Sequence, residues 1–363
     1  MRILFVTRKF PPSVGGMEVF SEELFLALER KCSNGGVMLF KPDPPIIGRP
    51  GVFALLRFFI KASTAVLRDA RDVDVVLLGD AVLTPLSWLA KLRTRGSVAT
   101  VVTAHGNDVY YARRRKASSI VYRTGLKLFA RSADLLVANS SDTRRAAAAL
   151  GFRRIVRIPL ATRQIPPSPE AVPPSNSILF AGRLMRCKGL AWFIAEVMPK
   201  LDPHVALLVA GPPWDQAEMD AVSACPQARY LGSLPRDSLP QLRTEVFACI
   251  MPNLPAHLSG QNEGFGLSAL ESSAVGTPVV ASNLGGLAEA VVDGITGFLV
   301  EPLDASSFAA RIYAISKWNE QERQEFATRA RQTVAERFTW DRVAEDYLAE
   351  FERLAPCRAP APN

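Results

Sequence analysis

Short runs of branched apolar residues, each joined to the next by helical periodicity and a glycine- or proline-marked loop, recur through this chain in two separate series. The first holds Ile3-Leu-Phe-Val6, Val73-Asp-Val-Val-Leu-Leu78, Val98-Ala-Thr-Val-Val-Thr103 and Leu135-Leu-Val-Ala138. Behind Val6 come Pro11, Pro12, Gly15 and Gly16, then a helix marked by Phe20, Leu24 and Leu28. Runs this apolar fit strands buried on both faces, and strands alternating with helices form parallel sheets, because a crossover is what joins parallel neighbours. The second series holds Ser177-Ile-Leu-Phe-Ala181, Val205-Ala-Leu-Leu-Val-Ala210, Val246-Phe-Ala-Cys-Ile250 and Pro278-Val-Val-Ala281.

Between the two series lies Gln164-Ile-Pro-Pro-Ser-Pro-Glu-Ala-Val-Pro-Pro-Ser-Asn176, too rich in proline to hold regular structure. The expected division is therefore a Rossmann-like domain over 1–163, a linker over 164–176, a second Rossmann-like domain over 177–338, and a tail region over 339–363. That last region holds a helix from about Trp340 to Leu354, which could cross back to the first domain, and a frayed Pro/Ala-rich end. A length of 363 residues exceeds what one core usually supports, and 48% hydrophobic with 21% charged residues excludes a disordered chain.

Cys32, Cys187, Cys225, Cys249 and Cys357 are single, odd in number and spaced neither as a zinc site nor as a redox pair, which points to a reducing compartment. The start, Met1-Arg-Ile-Leu-Phe-Val-Thr-Arg-Lys9, is too short in apolar residues for a signal peptide, and no run of about 18 uncharged apolar residues occurs. A cytoplasmic protein is expected. Residues 1–163 carry 27 Lys and Arg against 12 Asp and Glu, a surplus of 15 positive charges, whereas residues 164–363 carry 16 against 23. The first half is suited to a negative partner, either nucleic acid or a membrane surface.

The segment richest in chemistry is Glu263-Gly-Phe-Gly-Leu-Ser-Ala-Leu-Glu271, running on to Gly276-Thr-Pro278. A glycine turn leads into a helix of about ten residues that Gly276 ends. Free N–H groups at such a helix start favour phosphate by about 0.3–2 kcal/mol for the dipole alone, and Gly264 and Gly266 allow close backbone approach. Glu263 and Glu271 would stand roughly 12 Å apart along a helix, wider than the about 5–9.5 Å of a glycosidase pair. One carboxylate at each end of a nucleotide sugar fits that spacing. A helix with a solvated Glu at each end fits it equally well.

Gly182-Arg183-Leu-Met-Arg-Cys-Lys188-Gly189 follows the second domain's first strand, placing two cations at the carboxyl edge of a sheet, where open α/β folds bind ligands. There they neutralise phosphate or, as basic loops commonly do, merely meet solvent. Gly15 and Gly16 form a tight turn or offer N–H groups to the same pyrophosphate. His105, in His105-Gly-Asn-Asp108, has the most ligand-like place of three histidines. Asp72-Val-Asp74 reads as a strand cap and not as a metal site.

Together, Pro11-Pro-Ser-Val-Gly-Gly-Met-Glu18, Thr103-Ala-His105-Gly106, Ala181-Gly-Arg-Leu184 with Lys188-Gly189, the Glu263 to Glu271 segment, and Leu284-Gly-Gly-Leu through Gly297-Phe-Leu-Val300 resemble one family. The chain is similar to the retaining GT-B glycosyltransferases of the large fourth family, the group 1 glycosyl transferases, among them bacterial mannosyl- and glucosyltransferases. The similarity covers nearly the whole chain and is strongest from Phe180 to Val300.

The resemblance implies two facing Rossmann-like domains with an interdomain cleft. It implies transfer of a hexose, with retention, from a nucleoside-diphosphate sugar to a lipid-linked or glycan acceptor in cell-envelope polysaccharide or glycolipid synthesis. No cofactor and no essential metal are expected, since the departing phosphate helps deprotonate the acceptor. Glu271 would bind ribose, and Glu263 the hydroxyls of the transferred sugar. The N–H groups of Phe265, Gly266 and Leu267 would hold phosphate after Gly264. Arg183 and Lys188 would take up leaving-group charge, Gly15 and Gly16 would reach the phosphate from the other domain, and His105 would lie beside the sugar. Residues after Ala210-Gly-Pro-Pro213 and around Tyr230 would face the nucleobase. One departure is Ile158-Pro-Leu-Ala161, where the family usually has Ile-Pro-Asn-Gly; another is the long stretch Met251 to Asn262, a lip that includes His257 or a plain surface loop.

Residues 112–131 combine seven cations with Val121, Tyr122, Leu126 and Phe129, which helical spacing puts largely on one side, and Phe53 to Arg71 has the same character. The first domain is expected to dock on the inner face of the cytoplasmic membrane, or else to bury these helices with a solvated basic side. Two other functions fit the same residues less fully. A sugar-nucleotide epimerase would need no acceptor, and a non-catalytic basic protein would bind nucleic acid, for which no recognised motif is present.

Overall fold

The computed structural model describes residues 1–13, 15–32, 36–45, 51–114, 116–165 and 175–355. Val14, Arg115, most of the proline-rich linker (166–174) and the tail from 356, with Cys357, lie outside the described residues. The chain forms two compact units, one of Met1–Leu160 with the segment from Trp340 onward, the other of Ala161–Thr339.

In chain order the first unit holds β1 (Ile3–Val6), α1 (Gly16–Lys31), β2 (Val37–Phe40), α2 (Val52–Asp69), β3 (Val75–Leu78), α3 (Pro85–Thr94), β4 (Ala99–Ala104), α4 (Asn107–Tyr110), α5 (Ala117–Phe129), β5 (Leu135–Ala138), α6 (Ser141–Ala148) and β6 (Ile155–Arg157). Its strands form one parallel sheet in the order β2-β1-β3-β4-β5-β6. Leu4, Val6, Val76, Leu78 and Val102 pack with Phe58, Ala62 and Val66 of α2, Leu86 and Ala90 of α3, and Leu126 of α5. The alternate side chains Ile3 and Phe5 are equally buried, so both faces of the sheet are covered.

The second unit runs β7 (Ser175–Ala181), α7 (Leu190–Glu196), β8 (Ala206–Ala210), α8 (Gln216–Ala224), β9 (Ala228–Gly232), α9 (Leu239–Thr244), β10 (Val246–Met251), α10 (Ala256–Ser259), α11 (Leu267–Ala274), β11 (Val279–Ser282), α12 (Leu287–Ala290), β12 (Gly297–Val300), α13 (Ala305–Ser316) and α14 (Glu320–Arg337). Its parallel sheet has the order β12-β11-β10-β7-β8-β9. Strand order reverses between β7 and β10, the place where open α/β sheets leave a crevice at their carboxyl ends.

The final helix, α15 (Trp340–Leu354), belongs to the first unit. Trp340, Val343, Ala344, Tyr347 and Phe351 form its buried stripe, and it packs on α1, with the Phe20 ring 6.1 Å from Trp340 and 6.5 Å from Tyr347. The Tyr347 hydroxyl meets Thr103 Oγ1 at 3.2 Å.

Three local expectations change. The helix after the glycine turn is the eight-residue α11, so Glu263 precedes it and the two carboxylates do not share one helix. On α5, Leu126 is buried but Val121 is 73% exposed, since it lies about 140° around the helix from Leu126. The strands β2, β6, β9 and β12, absent from the expectation, are the outer strands of the two sheets.

Candidate functional site

The second unit gathers most of the predicted residues at its strand-order reversal. From the end of β7 the chain passes Gly182 and Arg183 into a short turn, Arg186–Lys188, closed by Gly189 at φ 69°. A Cβ on Gly189 would overlap the Pro252 carbonyl oxygen, so this loop lies directly against the backbone leaving β10. Lys188 Nζ thereby donates to Glu263 Oε2, and Asn253 Nδ2 donates to the same oxygen at 3.0 Å. Burial pushes the Glu263 carboxyl up, but the Lys188 charge, hydrogen bonds from Lys188 and Asn253, and the Arg183 charge outweigh it and hold the group below its ordinary range. Glu263 is not a solvated helix-end residue. It is a fixed, ionised acceptor.

Glu271 is held from the other side of α11. Arg243, only 2% exposed on α9, donates through Nη2 to Glu271 Oε2 at 2.5 Å and to Ser268 Oγ at 3.3 Å. Ser268 in turn donates to the Ala181 carbonyl at 2.9 Å, tying α11 to the end of β7. The Thr277 hydroxyl donates to the Arg243 carbonyl at 2.7 Å. Both carboxylates are thus oriented by cations, one from each flank of the helix start.

Between them, Gly264, the buried Phe265, Gly266 and Leu267 form the entrance to α11. The Leu284-Gly-Gly-Leu287 turn packs onto that entrance so closely that a Cβ on Gly286 would overlap Gly264 O and Phe265 Cα. A Cβ on Gly266 would likewise meet Leu287 Cδ2, so glycine is what lets this turn and the helix entrance pack together, and α11 begins there with the first-turn N–H groups that no helix satisfies internally. Nearby, the Arg183 guanidinium lies 4.6 Å over the Trp214 ring, and Tyr230 donates its hydroxyl proton to the Gly211 carbonyl at 2.9 Å. His257 is exposed on α10; the residue that this stretch sends to the site is Asn253.

The first unit carries the other predicted residues at the carboxyl edge of its own sheet. His105 is buried, its Nε2 2.9 Å from the Gly79 carbonyl and its ring edge-on to Phe20 at 4.5 Å. The Asp108 carboxylate accepts from the N–H groups of His105 and Ala81 at 2.9 and 3.1 Å. Burial pushes Asp108 up against the His105 charge and those N–H groups. Arg8 pairs with Asp80 at 2.6 Å beside it. Gly15 and Gly16 begin α1, where Glu18 pairs with Lys9 at 3.1 Å.

Arg243 and Asn253 are the site residues that the sequence reading missed. Neither sits in a glycine-marked motif. Arg243 lies twenty and Asn253 ten residues before Glu263 in the chain, yet only the fold shows that Asn253 reaches Glu263 and Arg243 reaches Glu271.

Residues 175–317 match the family of glycosyl transferases group 1, and residues 14–162 match glycosyltransferase family 4. The chain is 28% identical to the alpha-maltose-1-phosphate synthase of Mycolicibacterium smegmatis, covering 98% of this chain and 100% of that one. A sucrose-phosphate synthase from Thermosynechococcus elongatus superimposes with a TM-score of 0.77 at 21% identity over 98% of this chain and 99% of the other. The Anabaena protein HepE, solved with UDP-glucose, gives 0.71 at 19% identity over 98% and 100%. The two family matches occupy one Rossmann-like unit each, in the order and with the fold that the sheets display, and the chain belongs to the group 1 glycosyltransferases of the GT-B class.

Proposed function

We propose that this glycosyltransferase transfers a hexose, with retention, from a nucleoside-diphosphate sugar bound at the amino end of α11. The observation that carries the reading is the pair of cation-held carboxylates, Glu263 on Lys188 and Asn253, Glu271 on Arg243, on either side of the glycine-marked start of α11. Each carboxylate accepts hydrogen bonds from sugar hydroxyls: Glu271 from ribose, Glu263 from the hexose. Arg183, Lys188 and the N–H groups of Phe265, Gly266 and Leu267 meet the charge that grows on the diphosphate, where electrostatic preorganisation lowers a barrier most. HepE, with UDP-glucose bound, lends support for the donor class.

In this reading His105, oriented by Gly79 and Phe20, lines the hexose, and Gly15 and Gly16 serve the phosphate. Cations and helix N–H groups supply the charge stabilisation, so neither cofactor nor essential metal is required. The acceptor is a lipid-linked or glycan hydroxyl of cell-envelope polysaccharide or glycolipid synthesis on the cytoplasmic side.

Melting of the full chain with a panel of nucleoside diphosphates and nucleotide sugars tests the donor site. A ligand at about 100 times its Kd stabilises by about 2.7 kcal/mol, and Glu271→Ala should abolish the selective shift. Absence of any shift would overturn the proposal. With a donor in hand, the anomeric configuration of the product, read by NMR, decides retention.

A further inference from the structure

The helices α2, α3 and α5 form one layer over the first sheet, their buried residues joining a single core. They also touch directly, through Arg93 Nε donating to the Leu67 carbonyl at 2.7 Å and through the rings of Trp88 and Phe129 at 6.0 Å. Of the fifteen large apolar side chains exposed among the described residues, nine stand on these three helices. Phe53, Leu56 and Ile60 of α2 are 88%, 56% and 59% exposed, and Val121 and Leu128 of α5 are 73% and 72% exposed. By contrast the outer side of α14 carries both signs of charge and adds no large exposed apolar group.

The same layer is strongly cationic. Segments 51–71, 85–95 and 112–131 contain fourteen Lys and Arg, against Asp69 as the single acid. Some of these cations turn inward, as Lys91 does to Asp134, but Arg57, Lys61, Lys116, Lys127 and Arg131 are exposed among the apolar tips. A solvated basic face does not need exposed Phe, Ile and Leu side chains, which cost about 25 cal/mol per Å² left in water. Self-pairing through this layer would set its surplus of like charges against itself. A nucleic acid backbone offers the aliphatic tips nothing to bury against.

We infer that the outer side of α2, α3 and α5 docks on an anionic lipid bilayer, with cations at phosphate level and Phe53, Ile60, Val121 and Leu128 entering the headgroup boundary. No helix among the described residues is long and apolar enough to cross a membrane, and docking needs none. The inference stands apart from the donor chemistry, because vesicle binding and nucleotide-dependent melting are separate readouts.

The test is sedimentation of the full chain with vesicles of phosphatidylcholine alone and of phosphatidylcholine mixed with phosphatidylglycerol. Binding should require the anionic lipid and should fall as salt shortens the screening length from about 10 Å at 0.1 M to about 3 Å at 1 M. Lys61→Ala/Lys127→Ala/Arg131→Ala should bind about 100-fold more weakly, at about fivefold per cation. Phe53→Ser/Val121→Ser/Leu128→Ser should lose more than about tenfold with the melting midpoint unchanged. Binding that ignores lipid charge and both variants overturns the inference, as does failure to sediment with either vesicle. Concentration-dependent dimerisation abolished by the apolar triple, without vesicle binding, reassigns the surface to self-association.

Discussion

Replacing Arg243 by Met removes a guanidinium while keeping most of its unbranched stem. Arg243 is 2% exposed and its acidic partner, Glu271, has a side chain 20% exposed. Breaking a buried ion pair from one side typically costs about 3–5 kcal/mol; water reaching the partly exposed Glu271 reduces this to about 2–3 kcal/mol. For a unit the size of Ala161–Thr339, about 2–4 °C of melting temperature accompanies each kcal/mol, so a fall of roughly 4–12 °C is expected. Calorimetry of the full chain measures it. Removing both charges, in Arg243→Met/Glu271→Leu, relieves the desolvation of both groups and should return to within about 1 kcal/mol of the parent. Because Glu271→Leu strands the buried Arg243 in its turn, the double-mutant cycle should give a coupling of at least about 2 kcal/mol. Single-variant losses that simply add, or Arg243→Met melting with the parent, would refute the view that Arg243 holds Glu271 in place.

Gly286→Ala must push the added methyl into Gly264 and Phe265; overpacking of about 1–3 kcal/mol is expected in melting, with donor affinity lost ahead of the fold. The Glu263 pKa lies below its ordinary 4.5, so its stabilising contribution is complete above the unfolded value and is lost as pH falls through the folded one. Glu263→Gln should accordingly flatten the acid side of the melting profile below pH 4.5, and an unchanged slope there would exclude the Lys188 pairing. Trp340→Ala, at a side chain buried against Phe20, should cost about 3–5 kcal/mol in the first unit, and Tyr347→Phe about 0.5–1.5 kcal/mol through the stranded Thr103 hydroxyl; melting within error of the parent for Trp340→Ala would show that α15 contributes little.

All eight apolar runs named from the sequence are strands, and all eight are inner strands of their sheets. An inner strand is buried on both faces and paired on both edges, so nearly every position is apolar and the run announces itself. The four strands that escaped notice are β2, β6, β9 and β12, which close the sheets. Ile155-Val-Arg157 and Ala228-Arg-Tyr-Leu-Gly232 are half-exposed and mixed in character, and what makes them strands is the neighbour they pair with. Boundaries moved by one or two residues for a related reason: Val73 and Asp74 precede β3, the carboxylate of Asp74 accepting from the Arg2 N–H at 2.8 Å.

The chain by itself therefore determined the two Rossmann-like series, the glycine-marked entrance to α11 and the place of Arg183 and Lys188 just past the end of β7, because each depends on local backbone needs written in adjacent residues. Tertiary structure alone decided which cation serves which carboxylate. Lys188 was visible as a basic loop residue, but its bond to Glu263 spans 75 positions, and Arg243 reaches Glu271 only because α9 and α11 lie beside each other at the edge of β10. It also decided where α15 packs. An amphipathic stripe of Trp340, Tyr347 and Phe351 states that a helix must bury one side. Which surface receives it depends on the shape and free apolar area of the elements around it, and here that surface is α1.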